Sequence, residues 1–175
     1  QMTRCRTAIF DKTGTLTYGV PALTEQDVAE NFSAEEVLGL AAGMERYSKH
    51  PLGIAILAAA KVAGLEVPEA NAVSERPGHG LSGTVAERSN LITSRKKLHG
   101  MDVIGMENLP AARDGLECVV VIDGRFAAAY CFRDAPRAES HSFMRHLGPR
   151  HQFERLMIVS GDRESEVRYM AEEVG

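Results

Sequence analysis

Residues 7–10, Thr-Ala-Ile-Phe, form a short apolar run that stops at Asp11, and Lys-Thr-Gly-Thr-Leu-Thr follows at once. A buried strand that ends in an acidic residue and a Gly-containing loop is how α/β proteins present reactive groups at the carboxyl end of a sheet. A carboxylate in that place can attack a phosphoryl group and form an acyl phosphate. The loop behind it offers backbone N–H groups and hydroxyls to the transferred group. A second unit of the same type lies near the other end of the chain. There a strand over Leu156–Val159 runs into Ser160-Gly161-Asp162, and a helix is predicted over Glu164–Val174.

The stretch between these two units has a different periodicity. Residues 18–32 carry Gly19 and Pro21 and read as a linker or an extended segment. Ser33 with Glu36 three residues on is a capping box, and Val37, Leu38, Ala41 and Met44 then form an apolar helical face. The pattern breaks at Ser48-Lys49-His50-Pro51. The residue before a proline is pushed out of the helical region, while proline suits a first helical turn. His50 is therefore placed at the mouth of a second helix, about Pro51 to Ala63, closed by Gly64.

From Val73 short strands are predicted over 73–76, 81–87 and 90–93, broken by Pro77-Gly78-His79-Gly80 and by Gly83. A helical turn follows at 94–99, then mainly loop over 100–115. Glu117–Ile122, the Asp123-Gly124 turn and Arg125–Phe132 form the clearest hairpin. This predicts an antiparallel sheet with helices on one face. Asp134-Ala-Pro-Arg137 opens a further helix. The economical reading is an α/β domain of residues 1–17 and 133–175, interrupted by an α+β module of residues 18–132.

Composition narrows the function classes. The 175 residues carry a net charge of −4, which makes a broad nucleic-acid or anionic-membrane surface an unfavourable reading. At 44% hydrophobic and 25% charged the chain matches a globular protein rather than a disordered or fibrous one. The longest apolar run, Leu52–Ala60, falls far short of the ~20 residues a spanning helix needs. No direct membrane insertion and no signal peptide are expected. Cys5, Cys118 and Cys131 stand at no metal-ligand spacing and read as buried or incidental thiols.

The string Asp11–Thr17 resembles the phosphorylation motif of P-type ATPases, within the haloacid-dehalogenase-like superfamily. The resemblance implies a Rossmann-like phosphorylation domain with an inserted nucleotide-binding domain built on an antiparallel sheet. It implies that Asp11 accepts the γ-phosphate of ATP, with Lys12 and Thr13 in the same motif. Superfamily phosphatases usually place a second Asp two residues after the nucleophile as general acid/base. Thr13 cannot serve as that base, so a phosphoaspartate should persist. By resemblance the Asp11 carboxylate and the Thr13 backbone carbonyl hold Mg²⁺, a metal suited to hard oxygen ligands and phosphate.

Ser48-Lys49-His50-Pro51 is similar to the Ser-Glu-His-Pro signature of the heavy-metal-transporting branch. Glu45 lies where that branch has its adenine-contacting acid, and Gly78-His79-Gly80 resembles its Gly-x-Gly nucleotide loop. The resemblance places Glu45 and His50 near the adenine, with Gly78 and Gly80 under the nucleotide. Arg95 stands where the branch has a nucleotide-contacting Asn, so Arg95 and Lys96 either bind phosphate or stack on adenine in its stead, or affinity falls. Asp134 and Arg137 match the Asp-x-x-Arg element where the nucleotide module rejoins the phosphorylation domain. Ser160-Gly161-Asp162 resembles Thr-Gly-Asp, whose hydroxyl contacts the phosphoryl group.

The family's phosphate-facing lysine and its Gly-Asp-Gly-x-Asn-Asp segment are expected beyond Gly175. A chain without them should bind nucleotide yet phosphorylate itself poorly, since each such group is worth roughly 10²–10³ in rate. The reading is thus the ATP-binding and catalytic portion of a heavy-metal pump, on the cytoplasmic side of a membrane. Its partners would be ATP and the pump's membrane and actuator domains. Two alternatives stay open: a soluble superfamily phosphatase, and a non-catalytic nucleotide-binding module of a degenerate pump.

Overall fold

The computed structural model describes residues 5–76, 78–151 and 153–175, the side chains of 148–151 apart. Pro77, part of the predicted break between two strands, lies outside the described residues. The chain divides into two compact units, Gln1–Val20 with Asp134–Gly175, and Pro21–Arg133.

In the first unit β1 (Thr7–Asp11) pairs in parallel with β8 (Arg155–Val159). Helices α4 (Ala138–His151) and α5 (Glu164–Val174) belong to the same unit. Leu16, Met144, Met170 and Val174 form its core, with Phe10, Leu147, Leu156 and Ile158 packed against them. The expected buried strand is buried on one face only. Its residues alternate, with Phe10 turned toward the core and Ile9 62% exposed.

The second unit is built on a six-stranded sheet in the order β2-β7-β6-β5-β4-β3. Its strands are β2 (Thr17–Val28), β3 (Ala70–Arg76), β4 (Gly80–Val85), β5 (Arg88–Thr93), β6 (Leu116–Ile122) and β7 (Arg125–Pro136). The strands from β7 to β3 are antiparallel to their neighbours. The two unit boundaries fall inside β2 and β7. Asp123 and Gly124 close the β6–β7 hairpin with φ of 50° and 72°, the left-handed turn that matches the twist of paired strands.

Helices α1 (Ala34–Glu45) and α2 (Pro51–Val62) cover one face. Ser33 caps α1 by accepting the Glu36 N–H at 3.1 Å, and the Glu36 side chain pairs with Arg88. Val37, Met44, Ile56, Val120, Ile122 and Tyr130 are among the side chains that fill the core between these helices and the sheet.

Of the two readings of residues 18–32, linker or extended segment, residues 17–28 take the extended one as a strand, and Pro21 is tolerated because β2 is at the sheet edge. Two expectations are corrected here. Gly83 does not break a strand. It lies inside β4, where a Cβ would come within 3.0 Å of the Met44 sulfur, so it lets α1 sit close on the sheet. The sheet is also covered on both faces. Val119 and Val121 point away from α1 and α2, and they pack with Leu98 of the short helix α3 (Arg95–Leu98) and with Val103, Met106 and Leu109.

Candidate functional site

The parallel register sets Asp11 opposite Val159, so residues 12–16 and 160–162 leave the two strands at the same end. Residues 12–16 form a tight loop with Thr13 extended (φ −78°, ψ 123°) and Gly14 left-handed (φ 78°), closed by the Thr17 N–H donating to the Lys12 carbonyl. The Asp11 side chain is exposed and has no hydrogen-bond or ion-pair partner among the described residues. Lys12 is the opposite case. It is 3% exposed, with Nζ 2.8 Å from Asp162 Oδ2 and 3.7 Å from Asp134 Oδ2. The Lys12 ammonium, more than any other group, holds the Asp162 carboxyl below its ordinary range. Ser160 Oγ donates to Asp162 Oδ2 at 2.9 Å and accepts the Asp162 N–H at 3.2 Å, with the exposed Gly161 between them.

Asp134 and Arg137 hold this loop from beneath. The Thr17 hydroxyl donates to Asp134 Oδ2 at 2.6 Å, and the Gly19 N–H donates to Asp134 Oδ1 at 3.1 Å. Arg137 donates through Nε to the Thr17 carbonyl (3.0 Å) and through Nη2 to the Gly14 carbonyl (2.7 Å). Its guanidinium lies over the Tyr18 ring at 5.2 Å. The sequence puts both at the junction of the two modules and among the nucleotide-binding candidates, and their hydrogen bonds go to the loop that follows Asp11.

The second unit holds a cavity of about 440 Å³, a size typical of small-ligand sites. Glu45, His50, Gly78 and Gly80 all line it, brought together from the end of α1, the start of α2 and the turn before β4. Leu52, Leu81 and Ile92 supply apolar surface. His50 is the N-cap of α2, its Nδ1 accepting the Leu52 N–H at 3.2 Å. An accepting Nδ1 requires the neutral imidazole with its proton on Nε2, so the cap fixes both ring orientation and tautomer. His50 is held a second time by its own N–H, which donates to Ser48 Oγ at 3.0 Å.

Glu45 is 5% exposed, and its Oε2 has no hydrogen-bond partner among the described residues. Burial pushes its carboxyl up to about 7, with the nearby Ser48 hydroxyl pulling down and the Glu75 carboxylate adding to the rise. Near neutral pH the group thus stands between donor and acceptor. Gly80 has φ 92°, and a Cβ there would fall 2.4 Å from the Ile92 carbonyl oxygen. It is glycine because the turn runs hard against β5, while Gly78 has open space where a Cβ would stand.

Arg95 is not among the lining residues. Its Nε and Nη2 reach the two oxygens of Glu117 at 2.8 and 2.6 Å, and Nη1 donates to the Pro110 carbonyl at 2.7 Å. Lys97 lines the cavity, as do Glu75, Arg76, Glu117 and the buried Cys118, whose thiol burial pushes up. Sequence reasoning missed these. The run Arg95-Lys96-Lys97 was a visible signal, but a helical turn fans three successive side chains ~100° apart, and only packing decides which one faces inward.

Comparison with known proteins places the chain in a family. A sequence model of the family described as haloacid dehalogenase-like hydrolase matches residues 5–175. The chain is 34% identical over 172 residues to a copper-transporting ATPase 2 of Rhizobium meliloti (strain 1021), covering 95% of this chain and 20% of the relative. It is also 34% identical to a probable cobalt/nickel-exporting P-type ATPase of Mycolicibacterium smegmatis, covering 95% of this chain and 25% of that protein. The crystal structure of a zinc-transporting PIB-type ATPase superimposes with a TM-score of 0.79 at 28% identity, over 99% of this chain and 28% of that one. The chain therefore spans a quarter or less of the length of these two curated relatives. Among the described residues no helix is long and apolar enough to cross a membrane. The chain belongs to the haloacid dehalogenase-like hydrolase family and is homologous to the catalytic portion of heavy-metal P-type ATPases.

Proposed function

We propose that the second unit binds ATP in the Glu45–His50 cavity and that Asp11 of the first unit accepts its γ-phosphate. One observation carries the reading: four residues picked out by sequence, Glu45, His50, Gly78 and Gly80, line one cavity that holds an unpartnered buried carboxylate oxygen. A planar base with an exocyclic amine fits such a place. The amine donates to Glu45 Oε2, the ring lies on Leu52, Leu81 and Ile92, and the capped His50 offers Nε2–H. Arg76 and Lys97 give the phosphates cationic company. On this reading residues 18–132 are the nucleotide-binding domain, and 1–17 with 133–175 are the phosphorylation domain.

In the transfer, an Asp11 carboxylate oxygen attacks the γ-phosphorus. The bond from that phosphorus to the β,γ-bridging oxygen breaks, and ADP leaves with the electron pair. Lys12 is buried and paired, so it positions the loop and does not meet the phosphate. Asp134 and Arg137 fix the same loop from the other side. The Ser160 hydroxyl stands at the shared end of β1 and β8, where by turning its proton away from Asp162 it can donate to a phosphoryl oxygen. Asp11, exposed and without a protein partner among the described residues, and the Thr13 carbonyl are hard oxygen donors of the kind Mg²⁺ takes. When bound there the metal would offset the negative charge of the phosphates. With Thr13 where a general base would stand, the aspartyl phosphate is long-lived. That persistence suits a pump that couples ATP hydrolysis to heavy-metal transport from the cytoplasmic side of a membrane, working with its membrane and actuator domains.

The test is a calorimetric titration of ATP, with and without Mg²⁺, into the 175-residue chain and its His50→Gln variant. Binding in the micromolar-to-millimolar range that weakens about tenfold in the variant is expected, the size of one lost polar contact. A folded chain that binds no ATP at several millimolar overturns the reading.

A further inference from the structure

We propose that Arg95 supports nucleotide binding without touching the nucleotide, by neutralising Glu117, a carboxylate of the cavity wall that would otherwise repel the phosphates. The inference rests on the nucleotide reading above.

Three carboxylates line the cavity: Glu45, Glu75 and Glu117. That is an awkward set for a ligand that carries several negative charges, and two lining cations, Arg76 and Lys97, have to answer all of them. Among the described residues, Glu117 is the one of the three with a dedicated counter-ion. The guanidinium of Arg95 meets it oxygen for nitrogen, at 2.8 and 2.6 Å, the paired fork that is the strongest arrangement open to a carboxylate. Both side chains are 21% exposed, so water screens the pair only in part. The third guanidinium nitrogen is held by the Pro110 carbonyl. All three nitrogens of Arg95 are engaged within the protein, and the residue does not line the cavity. The uncharged Asn expected at this position could not silence Glu117, whereas Arg95 can. With Glu117 silenced, Arg76 and Lys97 face the phosphates with Glu75 as the one exposed carboxylate set against them.

The role is one of positioning charge, and ligand charge separates it from a purely structural role. ATP, ADP and adenosine are titrated calorimetrically into the full chain, into Arg95→Gln, into Glu117→Gln and into the double variant. An uncovered carboxylate beside a polyphosphate in a site of effective dielectric ~20 is expected to cost ATP about tenfold or more in affinity. ADP should lose less, and adenosine should stay within about twofold. Glu117→Gln alone should bind ATP at least as well as the natural chain. Added to Arg95→Gln it should bring ATP affinity back to within about threefold. The contact to Pro110 is missing from both Arg95 variants, so its loss cannot produce that rescue.

An equal loss for adenosine and ATP overturns the proposal in favour of a packing role. A loss for ATP that Glu117→Gln does not rescue overturns it in favour of direct phosphate contact, and no change at all also overturns it. If Arg95→Gln does not fold, Arg95→Lys decides. It keeps the charge and should hold ATP affinity within about threefold, whereas a bidentate phosphate contact predicts a tenfold loss. A natural chain that binds none of the three ligands overturns the nucleotide reading itself, a result visible before any substitution is made.

Discussion

Each unit buries a charged side chain beside its site: Lys12 in the first at 3% exposure, and Glu45 in the second at 5%. Lys12 is matched by Asp162 at 2.8 Å and Asp134 at 3.7 Å. Glu45 has a bare Oε2 and a second carboxylate, Glu75, among the groups that raise its proton affinity. A buried charge that is fully paired holds a loop in place. A buried charge left open costs stability and is kept for something that arrives later. On the proposed function the difference makes the second unit's Glu45 a ligand contact and the first unit's Lys12 scaffold.

Glu45 should produce the largest effect. Its folded-state value of about 7 lies above the ordinary 4.5, so the folded chain holds a proton that the unfolded chain releases. Stability from this group is greatest below pH 4.5, and it declines as pH rises from there to 7. The integrated difference is about 3 kcal/mol. Urea unfolding at pH 5 and pH 8 measures it. Glu45→Gln should flatten the profile over that range, and an unchanged pH slope in the variant would show that Glu45 is not the unmatched charge.

Lys12 comes next. Replacing it with Met keeps the length and the burial but leaves Asp162 and Asp134 without their cation. Removal of one partner from a buried pair costs several kcal/mol, and the 44% exposure of Asp162 reduces this to about 2 kcal/mol. The pH dependence has the opposite sign to that of Glu45. Asp162 is depressed below 3.8, so its contribution is present above that value and is lost as pH falls through the lower folded value. Lys12→Met should remove this acid-side loss. If the variant's acid unfolding follows the natural chain's with the same midpoint, charge pairing is not what holds the loop.

The residues that meet at the shared end of β1 and β8 were legible in the sequence, because they sit in two contiguous strings, Asp11–Thr17 and Ser160–Asp162. The sequence also carried the helix starts at Ser33 and His50–Pro51, where capping is local and written within four residues. It misjudged what depends on distant neighbours. Gly83 reads as a break because propensity penalises glycine in strands. The close approach of Met44 overrides that penalty. The role of Arg95 stayed open in the sequence because Glu117, with which it pairs, stands 22 positions away on a strand whose register no local pattern reveals.

Gly53 offers the smallest change in stability and the sharpest test of the contrast between the two units. It lies in the first turn of α2, where a Cβ would fall 2.4 Å from Glu45 Oε2 and 3.2 Å from the carboxyl carbon. The clash is with the far end of a flexible side chain, so Glu45 can swing aside without moving the backbone. Ala in a helix gains up to about 1 kcal/mol over Gly, which offsets the cost of displacing the carboxyl. Gly53→Ala should therefore change unfolding stability by less than about 1 kcal/mol. ATP affinity is a different matter, because the unpartnered oxygen would no longer stand where the ligand needs it. A loss of about tenfold, the value of one misplaced hydrogen bond, is expected in the titration. Equal and small effects on both would mean that Glu45 is merely tolerated in the core. A selective loss of binding would show that the chain keeps a glycine here to hold an open carboxylate in place.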